Sequence, residues 1–203
     1  MIKIRVGLPS VNGQVTPPTK ETLDKLRAYN DIKFEIVKVD NGQTVRGRNI
    51  ASQPVPKDAP ASKKLIMPYD YYLAMDDDMA FTPENIRRLI DHDKDIIGAS
   101  YSARTSRTDL IVAGFLKLSN DKDNWLRAYD IGLKEVDWTG AGCLLIKKQV
   151  FEKMDYPYWT HDIYEDGDVR DICSEDIGFC INARKAGYKI YCDLSNRVAH
   201  IPK

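Results

Sequence analysis

The sequence predicts an α/β sandwich, and three observations carry the prediction. Strand-like and helix-like segments alternate along its 203 residues. The helix-like segments open on helix-start residues, at Pro17-Pro18-Thr19, Thr82-Pro83-Glu84 and Ser174. The strand-like segments are short, and two of them run directly into aspartate, at Asp40 and at Asp76. A chain of this length suits one large domain better than two very small ones, so residues 1–203 are read as a single unit.

The elements follow in order. Residues 2–8 alternate charged and apolar side chains and form the first strand. The helix opened by Pro17 and Pro18 puts Leu23, Leu26 and Tyr29 on one face. Residues 33–39 alternate with period two, and Asn41-Gly42 ends that strand. A short helix over 45–53 comes next, and the prolines in 54–64 make that stretch a loop. Tyr71 to Met75 is a short buried strand. Ile86, Leu89 and Ile90 give the helix after Pro83 its buried face. Residues 95–101 and 111–118 are further strands, and the polar stretch 119–127 reads as loop. Val136 to Ile146 reads as a strand interrupted by Gly140-Ala141-Gly142, with a helix over 147–154 behind it. Residues 155–173, aromatic and acidic without a period, read as a long loop, which in compact domains is usually functional. Ser174 caps a helix with Ile177, Cys180 and Ile181 inward, ending at Gly187. A last strand covers 188–192, and the tail carries His200.

Composition excludes several classes. Lys plus Arg equals Asp plus Glu, 30 of each, so the chain lacks the basic surplus that a nucleic-acid partner needs. No apolar run is long enough to span a bilayer. The alternating N-terminus is a strand rather than a signal peptide, and a soluble, cytoplasmic location is the default expectation. Cys143, Cys173, Cys180 and Cys192 form no CxxC pair and sit among apolar or aromatic neighbours, as reduced structural thiols do.

Asp76-Asp77-Asp78 is the strongest chemical signal. Side chains alternate across a strand end, so Asp76 and Asp78 are expected to point one way and Asp77 another. Two carboxylates converging at the carboxyl edge of a sheet attract a hard divalent cation, and open α/β sheets bind ligands at that edge. The plain alternative is a solvated acidic turn. Glu175-Asp176 opens a helix, where ionised acids are favoured; the pair is either charge complementarity or the source of a general base. His200 is either a packed core histidine or a ligand for a divalent ion. Gly140 and Gly142 either let a ligand approach the backbone or mark a bulge. Arg46 and Arg48 either hold phosphate oxygens or lie on a solvated helix face.

Six stretches in this order resemble the GT-A fold of nucleotide-sugar glycosyltransferases, small family-2 members in particular. They are Gly7-Leu8-Pro9-Ser10, Arg48-Asn49-Ile50-Ala51, Leu73 to Asp78, Thr139 to Ile146, Ser174 to Cys180, and His200. The compactness also resembles small glycosyltransferases of large DNA viruses and phages. The resemblance implies a Rossmann-like α/β/α sandwich with a mixed, mainly parallel central sheet. It implies a metal-dependent transferase using a nucleotide-sugar donor, by default a UDP-sugar, and a hydroxyl on a glycan or glycoprotein acceptor. Pro9, Ser10 and Asp40 would lie near the nucleoside, and Arg48 and Asp77 in the donor site. The DxD motif falls on Asp76 and Asp78. Asp78, with Asp76 and His200, would hold manganese or magnesium. Gly140, Ala141 and Gly142 would floor the donor sugar. Glu175-Asp176 matches the acidic pair of inverting members, with Asp176 the base. The first motif departs from the family, reading Pro9-Ser10-Val11-Asn12-Gly13.

Other classes fit less well. An Asp-x-Asp phosphatase of the haloacid-dehalogenase type would carry Thr or Val where this chain has Ala80, and would carry the motif on its first strand. A nucleotide-sugar-forming nucleotidyltransferase would need a basic glycine-rich loop after the first strand, and Pro9 to Thr16 has no basic residue. A non-catalytic sugar- or calcium-binding module would not need Asp176 and His200 beside the acidic triad.

Overall fold

The computed structural model describes residues 1–10, 13–40, 43–53, 67–104, 109–116, 125–166 and 169–202; for residues 164–166, 169 and 171 it describes the backbone alone. In chain order the first half holds β1 (Ile2–Ser10), α1 (Pro17–Ala28), β2 (Ile32–Asp40), α2 (Thr44–Ser52), β3 (Tyr71–Met75), β4 (Met79–Ala80), α3 (Pro83–Asp91) and β5 (Ile96–Ser100). The second half holds β6 (Leu110–Gly114), β7 (Trp125–Arg127), β8 (Leu133–Val136), β9 (Trp138–Thr139), β10 (Cys143–Lys147), α4 (Lys148–Lys153), β11 (Ile163–Asp166), β12 (Val169–Ile172), α5 (Glu175–Lys185), β13 (Ile190–Arg197) and β14 (Ala199–His200).

Seven strands form the central sheet in the order β2-β1-β3-β10-β5-β13-β8. β1 pairs in parallel with β2 and β3, and β5 with β13. β10 runs antiparallel between β3 and β5, and β8 runs antiparallel along β13. Five strands therefore point one way and two the other, the mixed, mainly parallel sheet expected.

Strand alternation sorts the core into two layers. Ile4, Val6 and Leu8 of β1, Leu73 and Met75 of β3, and Cys143 and Leu145 of β10 face one side, where Leu23 and Leu26 of α1 and Ile86 and Leu89 of α3 cover them. Tyr72 and Ala74, and Leu144 and Ile146, face the other side, under Ala51 of α2, Phe151 of α4, and Phe179 and Ala183 of α5. Helices thus lie on both faces, which parallel strands buried on both sides require. Burial pushes the Cys180 and Cys192 thiols up to about 12, and all four cysteines are free. Among the described residues no helix is long and apolar enough to cross a membrane.

Several boundaries differ from expectation. The stretch 155–173 is not all loop: β11 and β12 pair antiparallel inside it, Ile163 opposite Ile172. The local cause is legible in retrospect, since Asp166-Gly167 lies midway between two short runs, a hairpin signal. Residues 125–127, expected as loop, form β7 against β6, while 119–124 lie outside the described residues. The segment 136–146 splits into the ends of three strands in two sheets. β13 runs to Arg197 rather than 192 because β5 holds it past a register shift. In α5 the buried side is Phe179, Cys180 and Ala183, with Ile181 only half-buried. The expected loop 54–64 lies outside the described residues.

Candidate active site

The carboxyl ends of β1 and β3, the start of α2, the N-terminus of α5 and the β14 tail meet around one pocket of about 250 Å³. Pro9, Ser10, Thr44, Arg48, Asp76, Asp77, Asp78, Arg104, Glu175, Asp176 and His200 line it. It lies at the edge where parallel α/β sheets place their ligands.

The acidic triad is a turn, not a strand end. β3 stops at Met75, and the N–H of Met79 reaches back to the carbonyl of Asp76 at 3.4 Å. Strand alternation therefore does not apply at the turn, and all three aspartates line the pocket. The turn is held from both flanks. The N–H of Thr16 donates to the Asp77 carbonyl at 3.0 Å, and the N–H of Ile201 to the Asp78 carbonyl at 2.8 Å. β14 pairs with β4 beside it, His200 opposite Met79.

Arg48 projects from α2 into the base of the pocket with its side chain 3% exposed. Its Nη2 donates to Asp76 Oδ1 at 2.5 Å, its Nε to Glu175 Oε1 at 3.2 Å, and its Nη1 to the Ala141 carbonyl at 3.3 Å. The guanidinium also lies 5.2 Å from the centre of the Trp159 ring. Burial alone would lower the Arg48 pKa, but Asp76 and Glu175 outweigh it and raise it, so the charge is permanent. Arg46, by contrast, is exposed and off the pocket.

Glu175 and Asp176 open α5, and their surroundings separate them. Glu175 is bound to Arg48. Asp176 accepts from the Ser174 hydroxyl and, at 2.9 Å, from the N–H of Ile177, both through Oδ1. Ser174 thus spends its hydroxyl on Asp176 rather than on capping the helix backbone. Desolvation raises the Asp176 pKa, with Glu175 adding to it and the Ser174 bond and Arg48 opposing it. Gly178 sets the seat of this helix, because a Cβ there would lie 1.8 Å from the Thr160 carbonyl oxygen.

His200 Nδ1 lies 3.2 Å from the Ser102 carbonyl, which can only accept. That contact orients the ring with Nε2 inward, 3.5 Å from Asp78 Oδ1. Asp78 is also paired with Arg104 through Oδ2. Among the described residues, no group of three or more His, Cys, Asp or Glu side chains is arranged to hold a metal. The reason is local: Asp76, expected as a ligand, is engaged by Arg48. Asp78 and His200 remain a converging oxygen–nitrogen pair. Such a pair offers two ligands to a divalent ion such as magnesium or manganese.

The remaining expected residues lie beside the pocket. Asp40 is exposed at the end of β2, opposite Ser10 in the sheet register. Gly140 and Gly142 are required by Tyr101: a Cβ on either would lie 2.1 or 2.9 Å from its hydroxyl oxygen, which accepts from the N–H of Gly142 at 2.9 Å. Ala141 touches the site through its carbonyl on Arg48. Thr44 and Arg104 were not anticipated. Neither sits in a local pattern, and only the fold brings them to the acids.

No protein-family model matches the sequence, and no curated protein matches it. Solved structures do. A197 from STIV aligns over 100% of this chain and 87% of its own, with TM-score 0.63 and 19% identity. GalNAc-T7 with UDP, GalNAc and Mn2+ aligns over 100% of this chain and 44% of its own, with TM-score 0.51 and 10% identity. S. aureus TarS 1–349 aligns over 99% of this chain and 60% of its own, with TM-score 0.45 and 14% identity. The chain therefore spans less than half of the GalNAc-T7 chain. At these identities the likeness is one of fold: a Rossmann-like α/β sandwich of the GT-A type, with glycosyltransferases among its structural neighbours.

Proposed function

We propose that the protein is a glycosyltransferase that moves a sugar from a nucleoside-diphosphate sugar, a UDP-sugar first among them, to a hydroxyl of a glycan or glycoprotein. The carrying observation is the meeting, in one pocket at the carboxyl edge of the sheet, of Asp78 with His200 and of Asp176 with Glu175. The neighbour solved with UDP, GalNAc and Mn2+ supports the choice of donor and ion.

Asp78 and His200 hold the divalent ion, manganese or magnesium. When bound, it supplies positive charge for the diphosphate that leaves. Pro9, Ser10 and Asp40, at adjoining strand ends, take the nucleoside. Asp76 and Asp77 border the donor, and Gly140 to Gly142 lie behind it. Asp176 is the base. Both bonds it accepts fall on Oδ1, so Oδ2 takes the proton from the acceptor hydroxyl. The acceptor oxygen forms its bond to the anomeric carbon as the bond to the diphosphate oxygen breaks, with inversion. Glu175 is excluded from that role by Arg48, which holds it and Asp76 in place. Residues 1–203 act as one domain.

Calorimetric titration with nucleoside diphosphates and nucleotide-sugars, with and without manganese, tests this. Manganese-dependent binding of one nucleotide class, lost in Asp78→Ala, is expected. No binding of any nucleotide under either condition rejects the donor site.

A further inference from the structure

Resting on that reading, we propose that Arg104 is a diphosphate-binding residue held in reserve by Asp78: the entering cation takes the carboxylate, and the released guanidinium takes the phosphate. The pocket shows the need. Among the described residues, the acidic residues Asp76, Asp77, Asp78, Glu175 and Asp176 line it against Arg48, Arg104 and His200. A diphosphate adds further negative charge and is stable there only with cationic partners. Arg48 cannot turn to it, because its three kinds of nitrogen already serve Asp76, Ala141 and Glu175 and its side chain is buried.

Arg104 is placed differently. Its side chain is 47% exposed, and its Nη2 is shared between Asp78 Oδ2 and, at 3.2 Å, the Ile201 carbonyl. Both acceptors sit on the wall that carries the Asp78–His200 pair. A cation on Asp78 and the guanidinium compete for one carboxylate. Occupation by the ion weakens the arginine's hold and frees a planar fork that matches two phosphate oxygens. The exchange keeps the carboxylate compensated in both states, so neither state leaves a buried charge uncovered.

The exchange makes two opposite predictions for Arg104→Gln. Manganese alone, titrated by electron paramagnetic resonance, binds the variant several-fold more tightly than wild type, since its competitor is gone. Uridine diphosphate, titrated at saturating manganese, binds the variant about tenfold more weakly. Uridine monophosphate loses less. Arg104→Lys, which keeps charge without the fork, falls between. A matched melting temperature confirms an intact fold, as expected for a half-exposed side chain. If Arg104→Gln binds both ligands as wild type does, or loses affinity for both, the exchange is wrong although the donor site stands. If wild type binds manganese but no nucleoside diphosphate, the donor-site reading fails and this assignment fails with it.

Discussion

The two arginines of the pocket show how one kind of side chain serves two purposes. Arg48 is 3% exposed and locked to the acidic turn after β3, to α5 and to the turn before β10; Arg104 is 47% exposed and, among the described residues, is bound at the pocket wall. The first is part of the scaffold. Removing it leaves two partly buried carboxylates, Asp76 and Glu175, without the charge between them. The second has a half-exposed side chain and can leave its carboxylate when another cation takes its place, although Asp78 itself is buried. A site that must be rigid in its acids and adaptable in its charge balance uses burial to separate those demands.

The largest effect expected is therefore at Arg48. Arg48→Ala should destabilise the fold by about 3–5 kcal/mol, the cost of breaking a buried ionic network from one side. Urea unfolding measures it, and a loss below about 1 kcal/mol would erase the contrast with Arg104.

A pH-dependent effect comes next, at Asp176. Burial holds its pKa above the ordinary aspartate value of about 3.9, so the fold favours the protonated form. That contribution is complete below pH of about 3.9 and is lost as pH rises through the raised value. Asp176→Asn cannot ionise and escapes the loss. Its melting temperature should match wild type at the acid end and exceed it at neutral pH, while transfer falls about a hundredfold or more. A variant whose advantage is the same at every pH would show that the fold does not raise the Asp176 pKa. The smallest effect is on the stability of Arg104→Gln, smaller than that of Arg48→Ala by the same urea measurement, because only one partner of the Arg104–Asp78 pair is buried and one carboxylate rather than two loses its arginine.

How much of this was readable beforehand follows from the range of each interaction. The strand at Tyr71–Met75, its acidic end, the α5 acids and the tail histidine are local patterns, and the sequence displays them. The insertion of β10 antiparallel between β3 and β5 depends on pairings between distant segments, and no periodicity announces it. Arg104 lies in a polar stretch indistinguishable from any surface turn until Asp78 is beside it. Gly140 and Gly142 carried a true signal, that something approaches the backbone closely. The structure shows the near object to be Tyr101, a side chain of the same chain. The hairpin at 163–172 was present as Asp166-Gly167 between short runs, and was obscured by the acidic and aromatic composition around it.

The pairing of β14 with β4 has a consequence for synthesis on the ribosome. Asp78 emerges well before His200 and the Ile201 amide that clamps its turn, which lie 122 and 123 residues further along the chain. Until they clear the exit tunnel, the nascent chain carries three adjacent aspartates with the Thr16 clasp available but with neither their histidine neighbour nor the Ile201 clasp. The histidine neighbour and the Ile201 clasp of the acidic turn therefore arrive only after the seven strands of the central sheet have been made.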